Sequence, residues 1–80
     1  MKLSIFSLQN TLFEGEVEKV TLPTPQGEIT LLENHIPLVT LVSPGYILFY
    51  THSGIQQTTK LSGGVLEVKP ESEAVILAEE

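Results

Sequence analysis

Glu28, Glu33 and His35 stand close together in the stretch GEITLLENHIPLVTLVSPG, Gly27 to Gly45. A histidine among carboxylates is the raw material of general acid and base chemistry, which needs such groups converging in a cleft. Glu33 and His35 flank a turn signal instead, and an exposed turn argues against catalysis by the three. A metal site would require His35 to meet His52 or a pair of glutamates in converging geometry. Each histidine sits beside a turn, where imidazole more often caps or is solvated, and no spacing draws the two together. For nucleophilic catalysis the serines lack a Gly-x-Ser-x-Gly elbow. LSGGVLE has the glycines of a phosphate loop but no lysine, and it leads into a strand; its paired glycines fit a tight hairpin turn with positive φ.

Composition narrows the remaining choices. The ten acidic residues are all glutamate and the four basic ones all lysine, giving a net charge of -6. So few cations cannot neutralise a run of phosphates, so nucleic acid is not an expected partner, and an anionic bilayer would repel the chain. Without cysteine there is no disulfide framework, thiolate chemistry or thiolate zinc site. The N-terminal MKLSIFSLQN is too short and too interrupted for a signal peptide, and no run approaches the ~18 apolar residues of a membrane span, so no lipid insertion is expected. Apolar residues make up 41% and charged ones 18%, as in a folded domain. At 80 residues the expectation is one domain, 1–80. A domain of that size hides only about 60% of its extended-chain surface, so its core must be thin.

The elements that position these residues read as strands. Turn signals recur at Gly15, TPQG (24–27), ENH (33–35), SPG (43–45), HSG (52–54), SGG (62–64) and KPES (69–72). A spacing of about 8 to 12 residues is that of an all-β sandwich or barrel of about nine or ten short strands. GEVEKVTL reads as a single half-exposed strand, with Val17, Lys19 and Thr21 on one face and Glu16, Glu18, Val20 and Leu22 on the other. GYILFY is apolar on both faces, as for a strand covered on each side or one whose second face meets a partner. GIQQTTKLS reads as the outer strand of a hairpin turning at His52 to Gly54, and GGVLEVKP with SEAVILAE as the last pair. Lys2, Lys19, Lys60, the prolines and the paired glycines can guard sheet edges.

What remains is a binding module. HIPLVTLVSPG holds an apolar run, Leu38 to Val42, between two prolines, and Pro37 favours a strand start or an edge. A thin sandwich leaving Ile36, Leu38, Tyr46 or Phe49 partly exposed would present an apolar patch to another protein, although the same residues could equally fill the core. A free-standing sandwich with a small-ligand pocket is the alternative.

Taken in order, these motifs resemble the N-terminal domain of the ATP synthase epsilon subunit, called delta in mitochondria. They are an opening strand, Phe13-x-Gly15, Val17-Glu18-Lys19, Gly27-Glu28, His35-x-Pro37-Leu38, Pro44-Gly45 and Ser62-Gly63-Gly64-x-Leu66-Glu67-Val68. The resemblance implies an all-β, flattened sandwich of two roughly five-stranded, mostly antiparallel sheets. It implies a non-catalytic central-stalk role without cofactor or metal: binding the gamma subunit and the c-ring, and coupling rotation to ATP synthesis. The location implied is the cytoplasmic face of a bacterial inner membrane, or the stromal side of a thylakoid. The partner-binding residues implied are Ser7, Glu28, Glu33, Asn34, His35, Pro37 and Thr40. Glu28 would meet the ring in a rim contact of about 1 kcal/mol or less, and His35, Pro37 and Thr40, with Ser7 nearby, would meet gamma. A bare apolar gamma-binding face would permit a weak homodimer. Two departures stand out. Asn34 replaces a usual glycine, but asparagine tolerates left-handed φ. The sequence ends before the helical hairpin usual in the family, which leaves a natural short form and a fragment both open.

Overall fold

The computed structural model describes residues 1–79 as nine strands in two sheets. They are β1 (Lys2–Phe6), β2 (Thr11–Glu16), β3 (Lys19–Thr24), β4 (Gly27–Leu32), β5 (Leu38–Val42), β6 (Gly45–Tyr50), β7 (Gln56–Leu61), β8 (Gly64–Lys69) and β9 (Glu73–Ala78). One sheet has the order β2-β1-β9-β8-β5 and the other β4-β3-β6-β7. Every pair is antiparallel except β1 with β9. The expected all-β sandwich is therefore present, with five strands in one layer and four in the other.

Four hairpins build the layers: β1–β2, β3–β4, β6–β7 and β8–β9. Between them the chain crosses from sheet to sheet. The expected single strand GEVEKVTL is in fact broken at one such crossing. Val17 N–H donates to the Met1 carbonyl (2.9 Å) beside the first sheet, and Glu18 N–H to the Tyr50 carbonyl (2.7 Å) in the second. Val17 and Val20 are consequently both fully buried, although a continuous strand of period two would put them on opposite faces. SGG is likewise no hairpin turn; it carries the chain from β7 in one sheet to β8 in the other. Gly63 has φ +123, and a Cβ on Gly64 would lie 2.3 Å from the Leu77 carbonyl oxygen, so neither position suits a side chain. The outer position of GIQQTTKLS is found as expected, since β7 is an edge strand.

The core lies between the sheets. Leu3, Ile5, Leu66, Ala74 and Ile76 of the five-stranded layer face Val20, Leu22, Leu31, Ile47 and Phe49 of the other. Phe13 and Phe49 join the layers with ring centroids 4.4 Å apart in a tilted arrangement, a contact that adds to their area burial. Phe49 is only 1% exposed, so it belongs to the core and not to a surface patch. GYILFY is covered on one face only: Ile47 and Phe49 point in, while Tyr46, Leu48 and Tyr50 point out. Lys60 stands over the Tyr46 ring and Lys19 over the Tyr50 ring, at 6.0 and 4.7 Å from the centroids.

Candidate docking surface

The strand registers distribute the expected site residues over both ends of the sandwich. One end carries the β1–β2 turn, the β3–β4 turn and the crossings at Ser43–Pro44 and Ser62–Gly63; Ser43 N–H donates to the Pro23 carbonyl there. Ser7 and Glu28 lie at this end. Ser7 is buried, and its Oγ accepts from the Asn10 N–H (3.1 Å), closing the β1–β2 turn from within. Glu28 is exposed on edge strand β4, opposite Pro23.

The opposite end gathers Glu33, Asn34, His35 and Pro37. Asn34 adopts φ 63, the left-handed conformation anticipated for it. Its N–H donates to Ser72 Oγ (2.9 Å), and Ser72 Oγ donates to Asn34 Oδ1 (3.0 Å), so the β4–β5 crossing is tied to the β8–β9 turn. Glu71 and Ser72 also have left-handed φ, at 69 and 57, in the three-residue connection (70–72) between the paired Lys69 and Glu73. Glu33 binds the Met1 ammonium, which also donates to the Val17 carbonyl (3.1 Å). This ion pair holds the Glu33 carboxyl below its usual pKa. Burial alone would lower the ammonium's pKa, but the hydrogen bond and charge of Glu33 outweigh it and the value is raised. His35 N–H donates to the Leu32 carbonyl (3.1 Å) and its Nδ1 lies 2.8 Å from the Ile36 carbonyl oxygen. Pro37 is exposed at the start of β5, itself an edge strand, as its chemistry requires.

Glu28 lies near the start of β4, and Glu33 and His35 lie beyond its end, so the three do not form one cleft. His52 approaches Glu18 at 3.9 Å, whereas the His35 ring faces its own backbone. Among the described residues no group of three or more His or Glu side chains is placed to hold a metal ion. Thr40 lies on β5 opposite the buried Leu66, on the inward-facing side of that edge strand.

The feature that sequence reasoning missed is the outer face of the five-stranded sheet. Cross-strand registers Leu41↔Val65, Val65↔Leu77 and Phe6↔Leu77 set four apolar side chains in one row across β5, β8, β9 and β1. The next row continues it with Val39 and Val75, interrupted by Glu67. Val39 is 69% exposed, Leu41 61% and Leu77 53%, and Ile36, before the start of β5, is 77% exposed. Phe6, Val65, Glu67, Val75 and Leu77 line a shallow depression of about 360 Å³ in this face. The signal was available in AVILA, where both parities of the alternation are apolar, and in VLEV, where Val65 shares its parity with the charged Glu67. The outer face of the other sheet is different: Thr21 and Thr30 pair across it with hydroxyls 3.0 Å apart, among the tyrosines and lysines described above. No described helix is long and apolar enough to cross a membrane.

A closed two-layer core under one apolar outer sheet face defines the class of the fold, an all-β sandwich with a contiguous exposed apolar face. Comparison with known proteins agrees. Residues 1–80 match the family model of the ATP synthase delta/epsilon chain, beta-sandwich domain. An ATP synthase epsilon chain of Aquifex aeolicus is 41% identical over all 80 residues. The chain belongs to the ATP synthase delta/epsilon family. It spans 58% of the length of the Aquifex relative. The same fold occurs in the Euglena gracilis mitochondrial ATP synthase, in a structure of its OSCP, F1 and c-ring (TM-score 0.91, 24% identity, 98% of this chain and 49% of that one). It also occurs in the central stalk and c-ring structure of the Tetrahymena thermophila mitochondrial ATP synthase (TM-score 0.83, 13% identity, 99% and 63%).

Proposed function

We propose that residues 1–80 act as one docking unit: the β-sandwich of a non-catalytic central-stalk subunit of a proton-translocating ATP synthase. In this reading the chain binds the gamma subunit and the c-ring and helps couple rotation to ATP synthesis. It works at the membrane surface as a peripheral part of the complex, on the cytoplasmic side in a bacterium. The observation that carries the reading is the apolar row Leu41–Val65–Leu77–Phe6, in a chain of this family. An aliphatic row on a rigid sheet suits a permanent partner, because obligate interfaces are more apolar than transient ones.

Gamma covers this face and its β5 flank, where Ile36, Pro37 and the half-buried His35 form the rim. Thr40 contributes through its place on the β5 edge. Glu33 and Asn34 act by holding the turn in shape, since both are engaged with Met1 and Ser72. At the far end, exposed Glu28 meets the ring, and Ser7 supports the neighbouring turn. The test is association of the chain with gamma from the same source, measured for the native sequence and for Leu77→Lys. Binding lowered by the face substitution supports the reading, and the absence of association refutes it.

A further inference from the structure

The sandwich has four edge strands, β2, β5, β4 and β7, each paired on one side only. Unpaired edges invite pairing with another chain unless charge, a bulge or proline blunts them. β2 carries Glu14 and Glu16, and its register with β1 is irregular at Ile5/Phe6. β4 carries Glu28, and β7 carries Lys60. β5, with the sequence Leu-Val-Thr-Leu-Val, carries no charge and no irregularity in its register with β8. No lysine or glutamate occurs between Glu33 and Lys60. Pro37 and Pro44 bracket β5, confining its free edge to a short window without closing it.

We propose that this edge pairs with the same edge of a second copy, antiparallel and two-fold about Thr40. The five residues are nearly palindromic in character, so the two-fold register satisfies both faces at once. Leu38 meets Val42 of the second copy on the inner side, Thr40 meets Thr40, and Val39 meets Leu41 on the outer side. The two five-stranded sheets become one ten-stranded sheet, and the apolar outer row runs on from Leu41 into the second molecule. A C₂ contact of this kind closes on itself, so it stops at a dimer. It uses the β5 flank assigned above to gamma, so only unassembled chains can form it. Two molecules of net charge -6 repel, and a five-residue edge makes a small interface, so the dimer is weak and tightens as salt screens the repulsion.

Sedimentation of the 80-residue chain from about 5 μM to about 500 μM spans the affinities of such a small interface. The expected result is a rise in average mass from monomer towards dimer, steeper at higher salt. Val39→Lys puts a charge on an exposed edge position and should weaken association about tenfold or more. It also reduces the net charge, so long-range repulsion would predict the opposite change. Leu77→Lys, on the same outer face but on β9, should leave the dissociation constant within about twofold if the contact is strand to strand. Amide exchange of Leu38 to Val42 should slow with concentration in the native chain and not in Val39→Lys. A chain that stays monomeric throughout overturns the proposal. So does a dimer abolished by Leu77→Lys and spared by Val39→Lys, which would mean that the sheets pack face to face.

Discussion

Gly64→Ala should be among the most damaging single-methyl additions to this fold. The added Cβ would lie 2.3 Å from the Leu77 carbonyl oxygen and 3.1 Å from the Ala78 Cα, both backbone atoms of the partner strand β9. No rotamer change relieves a clash with backbone, so β8 and β9 must part locally where Gly64 pairs with Ala78 and Val65 with Leu77. Overpacking of this kind costs about 1–3 kcal/mol, and a weakened ladder bond adds about 1, for a sum of about 2–4 kcal/mol. A domain of this length has about 4–12 kcal/mol of stability in total, so the change removes a large share. Gly27→Ala is the control: nothing lies within 4 Å of a Cβ there, and only the unfavourable φ of +122 remains, about 1–2 kcal/mol. Urea denaturation with the slope held in common gives both numbers, and thermal melting should show Gly64→Ala lower by about 10–25 °C. Equal losses for the two variants would mean that the close approach of β9 to Gly64 contributes nothing.

Other consequences follow from the turns and the ion pair. The Glu33 carboxyl is held below its ordinary 4.5, so its contribution is present above that pH and is lost as pH falls through the folded value. The Met1 ammonium is held above its ordinary 8.0, so its contribution is present below that pH and is lost as pH rises through the folded value. Melting temperature should therefore decline on both sides of a plateau between those two values, and Glu33→Gln should flatten both shoulders; a profile that Glu33→Gln leaves unchanged contradicts the pairing. Ser7→Ala should cost about 1–2 kcal/mol in urea denaturation, because a buried turn loses the acceptor for its Asn10 N–H, while exposed Ser53→Ala should stay within about 0.5 kcal/mol. Phe49→Ala should cost about 3–5 kcal/mol and leave the Phe13 ring without its partner.

Much of the fold can be read from punctuation and alternation. GIQQTTKLS is polar from Gln56 to Lys60 and is an edge strand; GGVLEVKP and SEAVILAE pair around KPES; Asn34 supplies a left-handed turn residue. The corners were harder. At Val17–Glu18 the chain changes sheets without glycine or proline, because successive N–H groups find carbonyls in different layers, and that partner choice is tertiary. The left-handed pair Glu71–Ser72 escaped for a similar reason: the Ser72 hydroxyl is held by Asn34, distant in sequence. The outer apolar face is hardest to read in AVILA, where both parities are apolar and periodicity alone does not say which one meets the second sheet. Ile76 and Leu77 are adjacent and both apolar, yet Ile76 is fully buried and Leu77 is 53% exposed.

We propose that the outer face of the five-stranded sheet holds gamma. The direct measurement is a calorimetric titration of this chain with the gamma subunit of the same source, with Leu77→Lys and Glu28→Gln run beside it. The expected result is one-to-one binding, weakened about 30-fold or more by Leu77→Lys, as for an apolar anchor worth about 2 kcal/mol, and little changed by Glu28→Gln at the far end. Absence of binding at about 10 μM, or binding that Leu77→Lys leaves intact, would contradict it.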